Sequence, residues 1–187
     1  MWEIQLNRLI LVLFFAFGFL FAKEYEVDKA HSEVGFKLKH LSVSTVRGNF
    51  NSFNGVVNVE NNKLLDLSGE IDTQSINTNN ATRDSYIKEA EYFDVKKYPK
   101  ATMKLISIDG NSGIFELNLK GVTKQISLDV EIFGISKNPA NKEVVGLSLN
   151  GKINRKDFNI AKSTPNASIS DQINIEINIE GVIVEKL

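Results

Sequence analysis

The residues with the most obvious chemical capacity are two histidines near the start of the chain. His31 and His40 are the only histidines among 187 residues, and Asp28 precedes the first of them. Imidazole and carboxylate groups can bind a metal ion or transfer protons, but metal sites require three or four convergent ligands, commonly at short spacings. Two histidines this far apart, in a chain without cysteine, fall short of that requirement. We therefore predict no metal site, and we expect His31 to form structural hydrogen bonds with Ser32 or Asp28.

Arg83 and Asp84 are a second place where the chain could contact a ligand. They follow Asn80 and other cap-type residues, a pattern that predicts a short helix at about residues 80–92. Backbone N–H groups at the start of a helix can receive an anion, and Arg83 could hold a phosphate or a carbonyl group there. Arg83 could instead form a structural ion pair that fixes the helix to the rest of the fold. The sequence leaves both alternatives open.

Motifs that carry catalysis are missing from the sequence. It contains neither a Gly-x-Ser-x-Gly elbow nor a phosphate-cradling glycine loop. The net charge is -1, the pI is about 6.2, and no basic cluster could follow a nucleic-acid backbone. We therefore predict that the protein is not an enzyme, has no catalytic residues or cofactor, and does not bind nucleic acid.

Alternation of apolar and polar residues predicts that most of the chain forms half-buried strands. Val34, Phe36, Leu38 and His40 fall on one side of an extended segment, with lysines on the other. By the same parity, His40 is either a polar group in the interior or a strand-end residue near water. We interpret residues 33–59 as one long strand with a bend near residue 55. Further strands are predicted at residues 65–72, 102–108, 114–120, 126–132, 145–150 and 173–180.

Eight or nine antiparallel strands in hairpin order, with one helix, predict an all-β domain. Each strand has one polar face, which rules out a sheet covered on both sides. A two-sheet sandwich and a closed barrel remain. We favour the barrel, because a long meander interrupted by a single helix is an awkward sandwich.

The first 22 residues have the pattern of a secretory signal. An apolar run of residues 9–21 follows Arg8 and ends at Ala22, and it is short for a membrane span. An uncleaved amino-terminal anchor is the alternative, because Leu20 is not the small residue expected three positions before the cut. We predict a signal peptide at 1–22, a single domain at 23–187, and a periplasmic location. The absence of cysteine is compatible with that location.

Several short motifs follow one another along the chain in an order and spacing that resemble one family. They are Asp28-x-x-His31-Ser32-x-Val34-x-Phe36, Gly48-x-Phe50-x-x-Phe53-x-Gly55, Thr82-Arg83-Asp84, Phe93-Asp94, Tyr98-Pro99, Leu119-x-Gly121-Val122-Thr123-Lys124, Arg155-x-Asp157-Phe158 and Asp171. Together they resemble the YceI-like family of secreted, lipocalin-like proteins, often described as polyisoprenoid-binding. The resemblance covers about residues 25–184. It implies an extended eight-stranded antiparallel barrel with a helix near one end and a long isoprenoid or fatty-acyl chain in its pore. Ser85 and Tyr86 depart from the apolar or histidine residue that often follows the Arg-Asp pair.

The inward faces of the strands form the main candidate site. An eight-stranded barrel is just wide enough to be filled by its own side chains or to hold one small ligand, so each of these residues could belong to the core or to the site. The chain has 12 phenylalanines and one tryptophan, and apolar, aromatic walls suit a flexible apolar ligand. The candidate ligand-binding residues are Phe36, Leu38, His40, Phe50, Phe53, Arg83, Phe93, Phe115, Leu117, Leu128, Val130, Leu147, Leu149, Phe158, Ile175 and Ile177.

We predict from this site a non-enzymatic protein that binds, carries or stores a long apolar lipid. The lipid could be a polyisoprenoid, an isoprenoid quinone or a fatty-acid derivative. One alternative is an enzyme that acts on such a lipid, with His40 or the Arg83–Asp84 pair at the pore mouth. Another is a stress-related protein-binding module with a filled core. Transient membrane contact and a homodimer are further expectations.

Overall fold

The computed structural model describes residues 23–185, which form eleven strands, one α-helix and two short 3-10 turns. The predicted signal peptide at 1–22 lies outside the described residues. Across residues 23–185, no helix has the length and apolar character that a bilayer span requires. In chain order the elements are β1 (Lys23–Val27), β2 (Glu33–His40), β3 (Ser44–Phe50), β4 (Phe53–Glu60), β5 (Lys63–Asp72), a 3-10 turn (Thr73–Ser75), β6 (Ile76–Asn77), α1 (Ala81–Ile87), β7 (Lys100–Asp109), β8 (Ser112–Leu119), β9 (Val122–Lys137), β10 (Glu143–Asn154), a 3-10 turn (Arg155–Phe158) and β11 (Gln172–Ile183).

Eight of these strands close into an antiparallel barrel. Neighbouring strands follow the order β1–β4–β5–β7–β8–β9–β10–β11, and β11 pairs with β1 to complete the ring. Tyr25 of β1 lies opposite Ile183 of β11 at this closure. The predicted eight-stranded barrel is therefore confirmed, and the two-sheet sandwich is excluded.

The β2–β3 hairpin extends the wall of the barrel at one end. β2 lies along β11, with Phe36 opposite Ile175, while β3 pairs with β2 on one edge and with the two-residue β6 on the other. The single strand expected over residues 33–59 is therefore wrong, since the chain turns at residues 41–43 and again at 51–52. Leu41 and Ser42 take positive φ angles of 50° and 58° in the first turn. Residues other than glycine and asparagine seldom adopt this conformation, and neither occurs at residues 41–43, so the sequence lacks the usual signal for a tight hairpin turn.

The single α-helix forms where the cap-type residues predict it but is shorter than expected. The Asn80 side chain accepts a hydrogen bond from the backbone N–H of Arg83 at 2.9 Å, which is the usual geometry of an N-cap. The helix ends at Ile87 rather than near residue 92. Beyond it the N–H of Asp94, a residue with φ 49°, donates to the Glu89 carbonyl, so the chain continues in turns.

Two apolar clusters fill the barrel at different levels. The larger one surrounds Tyr25, Phe115 and Leu147, whose side chains are fully buried. The smaller cluster surrounds Phe158 and Tyr92 at the end where α1 lies. Members of both clusters bound an internal cavity, and this cavity is the place where the barrel can hold something other than its own side chains.

Candidate functional site

The cavity has a volume of about 250 Å³ and almost wholly apolar walls. This is slightly below the range of roughly 300–1,000 Å³ for pockets that hold drug-sized ligands. The walls come from β1, β2, β3, β4, β5, β7, β8, β10 and β11, from α1 and the turns on either side of it, and from the segment between β10 and β11. An interior of this kind favours a flexible apolar molecule over a polar one.

The walls include ten of the sixteen residues proposed from the sequence. Most of them are inward-facing residues of β2, β3, β4 and β11, and two come from α1 and the turns that follow it. They are Phe36, Leu38, His40, Phe50, Phe53, Arg83, Phe93, Leu117, Ile175 and Ile177.

The other six residues point inward, as expected, but pack in the filled parts of the barrel. Each is less than 5% exposed and belongs to one of the two apolar clusters, so its neighbours are other side chains. Ligand contact at these positions stays a prediction that the shape of the cavity does not support. They are Phe115, Leu128, Val130, Leu147, Leu149 and Phe158.

Sequence reasoning missed several wall residues that come from the loop before β11. Ile160, Ala161 and Ile169 line the cavity but lie outside any alternating pattern. Ile173 and Met103 also line it, and the alternation of β11 and β7 could have identified both. The loop residues carried no such signal, because only the fold brings them across the end of the barrel.

Three phenylalanine rings form a continuous aromatic strip along one wall. The ring centroids of Phe36 and Phe50 are 5.9 Å apart, and those of Phe50 and Phe93 are 5.7 Å apart in an edge-to-face arrangement. A glycine at position 48 makes room for this strip, since a Cβ there would lie 2.5 Å from the Phe36 ring. The strip joins β2 and β3 to the turns after α1.

Arg83 reaches the cavity wall from α1, and a buried threonine holds it there. Its Nε donates to Thr78 Oγ1 at 2.7 Å, and its Nη2 donates to the Thr78 carbonyl at 2.8 Å. The Thr78 hydroxyl in turn donates to Asp84 at 2.5 Å. The salt bridges of residues 23–185 do not include Arg83, and its contacts with the fold are the two hydrogen bonds to Thr78. The Asp84 carboxylate accepts from the same Thr78 hydroxyl, so it lies close to the guanidinium without forming a direct ion pair.

Arg155 is a fully buried cation that fixes the loop across the end of the cavity. Its guanidinium donates to the Asp171 carboxylate at 2.7 Å and to five backbone carbonyls. Because the loop supplies Ile160, Ala161 and Ile169 to the wall, Arg155 determines the shape of this end of the cavity. The carbonyl acceptors belong to Ile160, Ala161, Thr164, Ile169 and Ser170.

The two histidines have different environments. His40 is exposed at the end of β2, which corresponds to a strand-end residue near water, and it also lines the cavity. His31 is not among the cavity-lining residues, and its Nδ1 is 2.8 Å from Asp28 Oδ2 and 3.9 Å from Glu180 Oε1. The ligand atoms of these three residues lie within 4.8 Å of one another. Since the His31 nitrogen already contacts Asp28, the structural hydrogen bond expected from the sequence is present.

The Asp28–His31 pair is expected to give a pH-dependent contribution to stability. The hydrogen bond to Asp28 raises the pKa of His31 above 6.5, and the same contact lowers the pKa of Asp28 below 3.8. Because the pKa of His31 is raised in the folded protein, the pair stabilises the fold fully below pH 6.5, and this contribution is lost as the pH rises through the pKa of His31 in the folded protein. Because the pKa of Asp28 is lowered, the pair stabilises the fold fully above pH 3.8, and this contribution is lost as the pH falls through the pKa of Asp28 in the folded protein.

The free energy of unfolding of the unchanged chain should therefore exceed that of Asp28→Asn by the largest amount between pH 3.8 and pH 6.5, and this difference should shrink at lower and at higher pH. Urea unfolding from acid to mildly alkaline pH measures it, and an NMR titration follows the imidazole directly. In Asp28→Asn the His31 resonance should titrate nearer its ordinary pKa. Identical His31 titration curves in the two proteins would exclude the coupling.

Comparison with known proteins finds similarity over nearly the whole described chain. Residues 25–181 match the profile of the YceI-like domain. Protein YceI of Salmonella newport is 35% identical over 178 residues, which cover 91% of this chain and 92% of that protein. The structure of the Campylobacter jejuni YceI protein is similar with a TM-score of 0.71 and 41% identity, over 84% of this chain and 96% of that one. A polyisoprenoid binding domain from Saccharophagus degradans has the same fold, with a TM-score of 0.67 and 15% identity over 86% of this chain and 98% of its own.

Proposed function

Because the chain belongs to the YceI-like domain family, we propose that it binds the apolar chain of a polyisoprenoid-type lipid in the barrel cavity and carries or stores that lipid unchanged. The observation that carries this proposal is the apolar cavity itself, with an aromatic strip along one wall and the Arg83 guanidinium at another. The described polyisoprenoid-binding role of the Saccharophagus domain, which shares the fold, supports the choice of lipid class.

The energetics of chain burial assign different roles to the chain and the head group of the lipid. Each buried CH₂ contributes about 0.8 kcal/mol. A cavity of about 250 Å³ cannot enclose a chain of about forty carbons at once, so only the inserted part of a long chain gains this energy. Every inserted CH₂ adds to the affinity whatever the head group is, and ordering of the chain offsets part of the gain. Head-group contacts determine the direction in which the lipid enters and the head group that is preferred.

The geometry favours binding over the alternative of catalysis at the mouth. Arg83 and Asp84 are both hydrogen-bonded to Thr78, so neither the donors of the guanidinium nor the Asp84 oxygen is arranged around a reacting group. The filled-core alternative is less favoured, because the filled clusters leave the cavity between them. A quinone or a fatty-acyl derivative would use the same apolar walls and remains a second candidate ligand.

The proposed setting for this activity is the periplasm, reached through the signal peptide at 1–22. There the barrel would shield an apolar chain from water and exchange it at a membrane surface. A homodimer is compatible with this role, and light scattering of the purified protein tests it.

Lipid recovered from the protein itself is the direct test of the proposed function. The mature protein should be purified from its native host under mild conditions, and extracted lipid should be identified by mass spectrometry. An unchanged long-chain isoprenoid at near one-to-one ratio is the expected result. A converted product would support the enzyme instead, and protein that neither carries nor takes up any long-chain lipid would overturn the proposal.

Replacing Arg83 with alanine should change head-group preference. The guanidinium has no direct ion pair with a carboxylate of the described residues, so it can pair with a phosphate at the cavity wall. We expect the affinity for a polyprenyl phosphate to fall roughly tenfold or more relative to a polyprenol of equal length, consistent with a charged hydrogen bond. Binding titrations with both ligands measure this ratio. Thr82→Ala, at the exposed neighbouring position, is the matched control. An unchanged ratio, with only a lower melting temperature, would assign Arg83 a purely structural role.

A further inference from the structure

The turn between β2 and β3 exposes two large apolar side chains to solvent. We refer to residues 41–43 as the hairpin tip. Val43 is 85% exposed and is the most exposed large apolar side chain of the described residues, while Leu41 is 55% exposed. Single exposed apolar residues are ordinary, but two at the end of a projecting hairpin form a localised apolar surface.

Chain folding alone does not explain the leucine at this position. Leu41 and Ser42 both have positive φ angles, and glycine or asparagine would adopt them with less strain. The Leu41 side chain nevertheless faces solvent rather than the core. Its presence therefore contributes little to the fold, which points to contact with something outside the chain.

The hairpin tip lies at the edge of the cavity. Leu38, His40 and Val46, on either side of the tip, all line the cavity. The backbone N–H of Leu41 donates to the Ser168 carbonyl at 3.0 Å, and His40 forms a β-bridge with Ile169, another wall residue. Whatever the tip contacts is therefore brought next to the wall of the cavity.

The surroundings of the tip are positively charged. The sequence has no acidic residue between Glu33 and Glu60, and none at residues 158–170. Lys39 and Arg47 face outward on the hairpin, and the salt bridges of the described chain include neither of them. The Lys39 amine instead contacts the Thr45 hydroxyl at 2.9 Å. Lys162 is exposed on the loop that supports the tip.

We propose that the hairpin tip docks on a bilayer surface that contains anionic phospholipid. Leu41 and Val43 enter the boundary between head groups and acyl chains, while Lys39 and Arg47 contact lipid phosphates above it. Apolar side chains flanked by long cationic ones match the two layers of such a surface. Docking turns the cavity mouth toward the membrane, so the lipid passes between bilayer and cavity without crossing bulk water. This role in loading rests on the lipid binding proposed above, whereas the docking itself can be measured separately.

Vesicle flotation of residues 23–187 tests the docking. This form contains every strand of the closed barrel and lacks the apolar segment 9–21, which would bind vesicles by itself. Vesicles of phosphatidylcholine with phosphatidylglycerol are compared with phosphatidylcholine alone. The double variant Leu41→Ser/Val43→Ser should lose vesicle binding by about tenfold or more. Phe133→Ser is the matched control, because Phe133 is 63% exposed on the distant β9 and its loss should change nothing.

The charge contribution has its own pair of variants. Lys39→Gln/Arg47→Gln should weaken binding to the phosphatidylglycerol vesicles by about fivefold for each cation removed. Lys63→Gln/Lys104→Gln removes two exposed cations elsewhere and should leave binding unchanged. Added salt should weaken binding of the unchanged protein, because exposed charges are screened.

Two results would overturn the docking: vesicle binding of the Leu41→Ser/Val43→Ser variant equal to that of the unchanged chain, or equal binding to both kinds of vesicle. The first would assign the tip to another partner, such as a protein. Uptake of a fluorescent farnesol derivative from solution, without vesicles, separates this failure from failure of the proposed function. Uptake without vesicle binding refutes docking alone. Vesicle binding without uptake supports docking and refutes the lipid-binding function.

Discussion

Replacing Arg155 with methionine is expected to lower the free energy of unfolding by about 3–5 kcal/mol, the range for removal of one partner from a buried ionic contact. The Arg155 side chain is 1% exposed and donates to five backbone carbonyls and to Asp171. Methionine fills similar space but donates nothing, so several buried carbonyls lose their partner, and each unsatisfied group costs about 1–3 kcal/mol. Asp171 keeps one contact, to Lys156 at 3.0 Å.

Urea unfolding followed by circular dichroism measures this loss, and the melting temperature should fall by on the order of 10 °C. Trypsin provides a local measurement, because Lys162 lies on the loop that Arg155 holds, and cleavage there should become faster. Lys152→Met, an exposed change on β10, is the control and should alter stability by less than about 0.5 kcal/mol. A loss below about 1 kcal/mol in Arg155→Met would show that the loop does not depend on these hydrogen bonds.

Replacing Met103 with tryptophan is expected to shorten the lipid chain that the cavity accepts. Met103 lies opposite Leu117 of β8, and both line the cavity, whereas Leu105 two residues further on belongs to the filled core. A larger side chain at this level takes space from the part of the cavity next to the filled core. If it displaces about four or five CH₂ groups, the affinity for a long chain should fall by ~3–4 kcal/mol, which is a hundredfold or more. A short chain that does not reach this level should bind as before.

The control for this change is Ile106→Trp on the same strand, where the side chain is 50% exposed. The natural tryptophan, Trp2, precedes residue 23, so each variant of residues 23–187 carries one tryptophan that reports its own surroundings. Emission should be blue-shifted for Met103→Trp and typical of water for Ile106→Trp. Equal affinity for long and short chains in Met103→Trp, with blue-shifted emission, would mean that the ligand does not enter this part of the barrel.

Local sequence pattern predicted the walls of the barrel well because the direction of each side chain in a strand depends only on its neighbours. Phe36, Leu38 and Ile175 face inward as the alternation requires. The pattern failed where strands slip by one residue. In the strand predicted at residues 65–72, alternation places Leu65 on the same apolar face as Leu67, yet Leu65 is 48% exposed, while Leu64 is 2% exposed. The register between β4 and β5 shifts at Asn58 and Val59, and a shift of one residue exchanges the two faces.

The short helix and the hairpin tip show which boundaries local sequence pattern can predict and which it cannot. Asn80 signalled the start of α1 through its own side chain, so that boundary was predictable. The turn at Leu41 and Ser42 has neither the glycine nor the asparagine that positive φ angles favour. Its conformation is imposed by the pairing of β2 with β3 and by the contact with Ser168. These contacts join residues far apart in sequence, and local pattern does not contain them.

The sequence by itself determined the fold class, the inward face of most strands and the family to which the chain belongs. Only the tertiary structure decided which inward residues fill the barrel and which leave a space. Leu128 and Leu117 carry the same pattern, yet the first is packed in the core and the second lines the cavity. The difference arises because the empty volume depends on the combined bulk of side chains from strands distant in sequence. The buried Arg155, which fixes one end of that volume through carbonyls of a loop, depends on the same long-range assembly.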